Sequence, residues 1–472
     1  MHTARRLLQA AGGWPIGTFT FRVVYAAGGT FTLPINFSGY VQVFSVDWGD
    51  GSSSLIQKYN DAAATHTYAG AGTYDIVLSG TCQKFSFNNA GDKTKITKLL
   101  GFTGDMGFKV LDFYGCTALD TLVALGTMQY LTTAAYMFRG CTAVASIPAT
   151  IFDGCPKITS FSNVFYGCNN AGLTTIPANL FDYNTKVTDF SVAFESCTKI
   201  TAIPTDLFRY NTLVTTFSET FYGCTALTSI PNDVFRYNTA ATTFSFTFQN
   251  CTGITSLNAN LFQYNTLAAT FQRTFYSCTG LTAIPAHLFD YNTEVTNFYG
   301  TFYNCSNAAL TAIPVDLFRF NTKVTTFYQV FQSCTKITAI PTDLFRYNTA
   351  TGLTTFAQAF QSCTALAAIP TGLFDYNPAV TTFASTFSGC TGLVNALDGN
   401  MFLYNVHVAN FGSTFDGCSG LTGSGWGLGA GTIIYNALAE SPPPTTTTAC
   451  FNGCTGLTGY PGSIPTAWGG TG

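Results

Sequence analysis

Charge is what this 472-residue chain has least of: Lys, Arg, Asp and Glu make up 9% of it, against about 25% in an ordinary soluble domain. With 20 basic and 23 acidic residues the net charge is −3, so the basic footprint that nucleic acid requires is missing. No apolar run approaches the roughly 18–20 residues of a membrane-spanning helix. The 4 histidines, His2, His66, His287 and His407, are scattered, and a lone His on a repeat surface is expected to be solvated. There is no phosphate loop, no H-E-x-x-H and no nucleophile elbow. Neither catalysis, a cofactor nor a metal is therefore expected. The opening stretch carries Arg5 and Arg6 but only a stub of apolar residues, short of the about 7–15 that a secretory signal needs.

What the chain has instead is neutral and apolar. Hydrophobic residues make up 47% and aromatics 15%, which leaves the surface to Thr, Ser, Asn and Gln. Such a surface suits an extracellular, cell-surface or virion protein. Together with the absence of an export signal it leads to the expectation of a virion component released by lysis.

The 16 cysteines do not read as a disulfide framework. Those at 168, 197, 224, 251, 278, 305, 334, 363, 390 and 418 recur every 27 to 29 residues, a period that signals a solenoid. One unit, Cys197 to Gly223, reads C-T-K-I-T-A-I-P-T-D-L-F-R-Y-N-T-L-V-T-T-F-S-E-T-F-Y-G. The L-T-x-I segment, as in Leu227–Ile230, is read as a short strand alternating inward and outward. Pro follows, as Pro204 or Pro231, suiting the start of a helical turn. Where the sixth residue of that turn is Arg (Arg209, Arg236, Arg319, Arg346), Asp stands three before it, a pairing that implies one helical turn with facing side chains. The Asn of each Tyr-Asn is expected to stack as a ladder that satisfies backbone groups. The closing V-T-x-F-x-x-x-F-x-x-C is read as a helical arc with both Phe pointing inward and Cys filling a corner beside them. Cys155, which replaces the Asn at its bend, and the off-register Cys82 and Cys450 are the candidates for any disulfide.

This unit resembles the BspA-like leucine-rich repeats of bacterial, protozoan and phage surface proteins, from Ile96 to about Gly420, in roughly thirteen coils. Ahead of it, Val46-Asp-Trp-Gly-Asp-Gly51 and His66-Thr-Tyr68 with Gly72-Thr-Tyr74 resemble a PKD domain, an Ig-like sandwich. The β-rich runs Thr18–Val24, Thr30–Pro34, Val41–Asp47 and Tyr74–Ser79 agree with that. Asp47 and Asp50 read as turn acids rather than calcium ligands. The expected organisation is an N-terminal arm (1–16), a PKD-like β-sandwich (17–91), a leucine-rich-repeat solenoid of about 27-residue coils with short strands and helical turns (92–430), and a Gly/Pro/Thr-rich C-terminal cap (431–472). Within the last, Ser441–Thr448 reads as a stiff extended link.

Chemistry thus gives way to surface display. Outward threonines, Thr174 to Thr338 in one series and Thr188 to Thr381 in another, would stack into flat polar ridges. Ice binding there is disfavoured, because each ridge offers one regular Thr per coil. Near the middle, Tyr276, Tyr299, Tyr303 and Tyr328 fall beside the inward Phe of consecutive coils, and exposed rings amid hydroxyls and amides suit stacking on sugars. The alternative is that these rings only cover the core edge with a wet hydroxyl. The expected function is a non-enzymatic adhesin, a phage tail-fibre or virion-decoration protein that recognises a host-surface glycan or protein. Its N-terminal domain would engage other virion or surface proteins. A cell-surface adhesin of the same fold, or a purely structural virion protein, are the alternatives.

Overall fold

The computed structural model describes residues 16–394, 397, 401–422 and 444–460. The N-terminal arm up to residue 15 and most of the C-terminal cap lie outside the described residues. The chain divides into two compact units on either side of the Leu227–Thr228 peptide bond.

The first unit opens with a β-domain. Strands β1 (Gly17–Tyr25), β3 (Gln42–Asp47), β4 (Ser53–Ile56), β6 (Gly72–Cys82) and β8 (Ile96–Gly104) form an antiparallel sheet in the order β4-β3-β6-β1-β8. A second, two-stranded sheet pairs β2 (Gly29–Thr32) with β5 (Thr65–Tyr68). Strict alternation along β1 buries Phe19, Phe21 and Val23 completely. The two sheets meet where Phe21 lies 5.8 Å from Phe31 and Tyr25 lies 5.3 Å from Tyr68. The turn acids are engaged locally: Asp47 accepts from the Gly49 amide, and Asp50 from Ser52 and from His66 at 2.7 Å. Sheet edge β8 lies beyond residue 91, and Lys98 on it bridges in parallel to Thr121 of the next coil. The β-domain and the first coil therefore share a strand and do not divide at 91. A parallel pair, β7 (Lys84–Ser86) with β9 (Val110–Asp112), makes a further coil-to-coil rung.

From there the chain is a repeat solenoid in both units, and among the described residues it contains no α-helix. The helical turns expected of it are instead runs of tight turns. In the second unit, the amides of Phe271, Arg273, Phe275 and Ser277 donate to Asn297, Tyr299, Thr301 and Tyr303 of the next coil, at 2.7–3.0 Å. The amides between them close i,i+3 turns: Thr274 to Phe271, Tyr276 to Arg273 and Cys278 to Phe275. Arg273 and Ser277 sit at φ 51° and 54°, the third-position signature of a type II turn. Side chains then run in-out-out-in-in-out-out-in, a period of four that mimics helical i,i+4 spacing. The proline loop behaves alike, with Leu207 bonded to Pro204 and Arg209 to Asp206. Three of the four Asp–Arg pairs form, at 4.0 Å (Asp206–Arg209), 3.6 Å (Asp316–Arg319) and 3.3 Å (Asp343–Arg346), because the ends of an i,i+3 turn also face each other; Arg236 lies instead by the Tyr237 and Tyr264 rings. L-T-x-I does not alternate: in Leu281–Ile284 only the two ends are buried. Its strand character shrinks to single parallel bridges such as Ala312–Ala339.

The interior is built of stacked phenylalanines, all fully buried. Phe271, Phe298 and Phe327 stack at 6.1 and 5.9 Å, and Phe275, Phe302 and Phe331 at 5.7 Å. A third column, Phe289 on Phe318 at 6.3 Å, wedges its rings 4.9 Å from Phe298. Beside these, the corner thiols from Cys278 to Cys418 each donate to a backbone carbonyl of the preceding coil, as Cys278 to Phe248 at 3.2 Å and Cys305 to Phe275 at 3.2 Å. All sixteen cysteines are free and buried, Cys82, Cys155 and Cys450 included, so no disulfide forms among them. The Asn ladder forms as read: Asn292 Nδ2 donates to Phe262 at 3.0 Å and Asn265 at 2.9 Å, and Asn321 repeats this one coil on. The expected link at 441–448 is, where described, part of another coil: Phe411 and Phe415 donate to Thr446 and Cys450, and Cys454 Sγ to Phe415.

Candidate ligand-binding face

Because successive turns point two residues in and two out, one face of the solenoid displays two columns of side chains from the F-x-x-x-F-x-x-C segment. The four tyrosines singled out in the sequence stand there, in the second unit, and the structure brings them together. Tyr276 and Tyr303 stack in parallel, centroids 4.3 Å apart at 4°. Tyr299 and Tyr328 lie 4.9 Å apart at 48°. All four are half-buried. Burial raises the Tyr276 hydroxyl above the ordinary tyrosine range, its neighbour and hydrogen-bond partner Tyr303 adding to this and Arg273 opposing it. Tyr328 is raised by burial and then by Tyr299.

The sequence reading missed the residue that joins these rings. Arg273 donates through Nη2 to the Tyr299 hydroxyl at 2.6 Å, and its guanidinium lies 4.8 Å from the Tyr299 ring and 5.2 Å from Tyr276. Gly300 occupies the equivalent site in the next coil at φ 58°, and a Cβ there would come within 3.2 Å of Arg273 Cγ. The signal was present in the repeat alignment, where Arg273 and Phe246 replace the small polar residues Ser385 and Ser413 at one frame position. Phe246 and Arg273 hold φ 59° and 51°, a left-handed conformation that costs about 1–2 kcal/mol for a residue with a Cβ. The same frame position is left-handed at Val192, Glu219, Gln329 and Gln358 as well, so the conformation belongs to the turn and the side chain on it varies from coil to coil. Along the same columns Gln329 donates to Gln358 and Gln332 to Gln361, both at 2.6 Å.

The first unit carries a related cluster in the same frame positions. Arg139 lies 5.3 Å from the Tyr114 ring and 4.1 Å from Tyr166, and it bonds Asn163 Oδ1. Tyr136 and Glu219 there also sit at positive φ, 64° and 58°. Burial, and then Glu219 beside it, pushes the Glu195 carboxyl up to about 7 against the pull of Arg139.

Other surfaces qualify as less. The outward threonines are committed to their neighbours, Thr282 Oγ1 donating to Thr255 at 2.9 Å and Thr325 to Thr296 at 3.0 Å. Those hydroxyls thus hold neighbouring coils together. A groove of about 420 Å³ between Thr282–Ile284 and Leu310–Pro314 is lined by apolar and threonine side chains alone. His287 is not merely solvated, since Nδ1 lies 2.8 Å from Asp290. A column overlooked in sequence is the aromatic before the ladder Asn: Tyr264, Tyr291, Phe320, Tyr376 and Tyr404 are 39–53% exposed. Inward Asn forces its neighbour outward, so this was derivable. Among the described residues no group of His, Cys, Asp and Glu could hold a metal ion.

The repeats match the family model described as "Mycoplasma protein of unknown function, DUF285" over residues 132–255, 159–287, 188–313 and 296–423, which together run through 132–423 of the 472. No curated protein matches. Among solved structures the chain is similar to the one titled "Crystal structure of TLR13-ssRNA13 complex", at 12% identity and a TM-score of 0.20, over 66% of this chain and 51% of that one. The chain thus spans about half the length of that structure, and so slight a likeness bears on neither fold nor ligand.

Proposed function

The chain belongs to the DUF285 family of Mycoplasma proteins of unknown function, and from that premise we propose that it is a non-enzymatic adhesin whose solenoid presents a sugar-binding face. The observation that carries this is the tyrosine cluster. Two rings stacked on adjacent coils, two more beside them and a guanidinium across the group make a half-buried aromatic platform with hydroxyl and N–H donors at its rim. Rings stacked on one another turn their edges and hydroxyls outward, and a pyranose would lie across those edges with its hydroxyls on the polar rim. The low charge of the chain and its Thr/Asn/Gln surface fit exposure outside a cell.

In this reading the solenoid is of the BspA-like leucine-rich kind. The N-terminal β-domain is PKD-like and attaches the protein to its bearer, a bacterial cell or a virion. The description of the family as Mycoplasma proteins favours a cell. Labelling intact cells and particles with an antibody to the chain separates these, and a chain buried inside a particle would favour the structural role.

The test is direct. Full-length protein on a glycan array and on host cells is expected to bind, and the double variant Tyr276→Ala, Tyr303→Ala to lose most of the signal while melting as a folded protein. Wild-type protein that binds no glycan and no cell above background overturns the proposal.

A further inference from the structure

Arg273 is an arginine without an acid. Arg22, Arg209, Arg319 and Arg346 each face an aspartate within 4.0 Å; among the described residues Arg273, like Arg139 and Arg236, has none, and of these three only Arg273 keeps a buried N–H without an acceptor. Its one strong polar partner is a neutral hydroxyl, the Tyr299 Oη that accepts from Nη2. Its Nε–H is buried with no acceptor. The ring faces of Tyr276 and Tyr299 offset part of the cation's lost hydration, but they cannot receive an N–H in the guanidinium plane. A buried donor left unmade is costly, more so on a charged group. Glycine at the equivalent position of the next coil leaves room for the Arg273 stem.

We propose that this arginine receives the carboxylate of an acidic sugar, a uronic- or sialic-type residue whose pyranose ring lies across the outer edges of the Tyr276–Tyr303 pair. This rests on the sugar-binding reading of the same face and names its ligand class. A carboxylate matches the outer fork of the two Nη groups in two parallel hydrogen bonds, which neutralises the charge without calling on the enclosed Nε–H. The tyrosine hydroxyls flanking the guanidinium then meet the ring hydroxyls of the same sugar.

The experiment compares a uronic-acid oligosaccharide with its carboxyl-reduced, neutral counterpart of identical linkage, on the full-length chain by calorimetry. The acidic oligomer is expected to bind at least tenfold tighter, equivalent to about 1.4 kcal/mol, with an affinity that falls as salt rises. Arg273→Met is expected to collapse that ratio to about one, and Arg273→Lys to recover only part of it, because an ammonium lacks the planar fork. Arg346→Met, which removes an arginine already paired with Asp343, is expected to leave the ratio intact. Equal affinity for both oligomers overturns the acidic-sugar proposal and leaves the sugar-binding reading standing. Preference for a sulfated or phosphorylated sugar over the uronate also overturns it. Binding to no sugar at all removes both.

Discussion

A thiol, an amide and a carboxyl show how one residue is set by the coils on either side of it. The corner cysteines are fully buried, donate to backbone carbonyls, and have their thiols raised by burial, to about 12 in Cys168, Cys278 and Cys334. Thiolate is the reactive form, so the native protein is expected to leave a thiol reagent unconsumed at neutral pH and all sixteen thiols to react once it is unfolded. Asn292 gives both its Nδ2 protons to the preceding coil, and Asn292→Ala orphans two buried carbonyls. A loss of about 2 kcal/mol is expected in chemical denaturation. Glu195 titrates at about 7 when folded against an ordinary 4.5. The folded state therefore holds its proton more tightly, and stability falls as pH rises from the ordinary value through the folded one. Glu195→Gln is expected to flatten that slope, read as melting temperature between about pH 5 and about pH 8.

At the scale of the element, the coil is a ribbon of turns, and this is where sequence and structure part. The positions of Phe, Cys and Asn were legible because each repeats at one frame position, and a residue that recurs once per coil must meet its own kind. The backbone was not, because Phe217 and Phe221 are spaced as on a helix while the structure reaches that spacing by a turn every second residue. The clue was Ser, Gly or Asn before each corner Cys, residues that tolerate positive φ. The candidate face was half legible. Its four tyrosines were visible as aromatics, but Arg273 was passed over because arginines elsewhere in the repeat pair with aspartate. Within the coil, Phe298 touches Phe271, Phe289, Phe318 and Phe327. Phe298→Ala is therefore expected to cost about 3–5 kcal/mol, enough to lower the denaturation midpoint visibly.

For the whole molecule, turns and single bridges in place of helices and long strands have a spectroscopic sign: the far-ultraviolet circular dichroism is expected to lack the paired helical minima. A spectrum with strong helical minima would contradict the fold described. The alternation of amides has a mechanical consequence too. From Cys278 to Cys418 each described coil is tied to its neighbour by a row of backbone bonds, by asparagine or threonine side chains and by its thiol, so the ties between two coils break together. A coil of 27 residues pulled straight releases about 90 Å of chain. Tension applied to an end would be met by evenly sized steps of lengthening, each leaving the next coil's stacked rings and bonds whole. A tether that yields by instalments stays attached through a jolt that would snap a rigid rod.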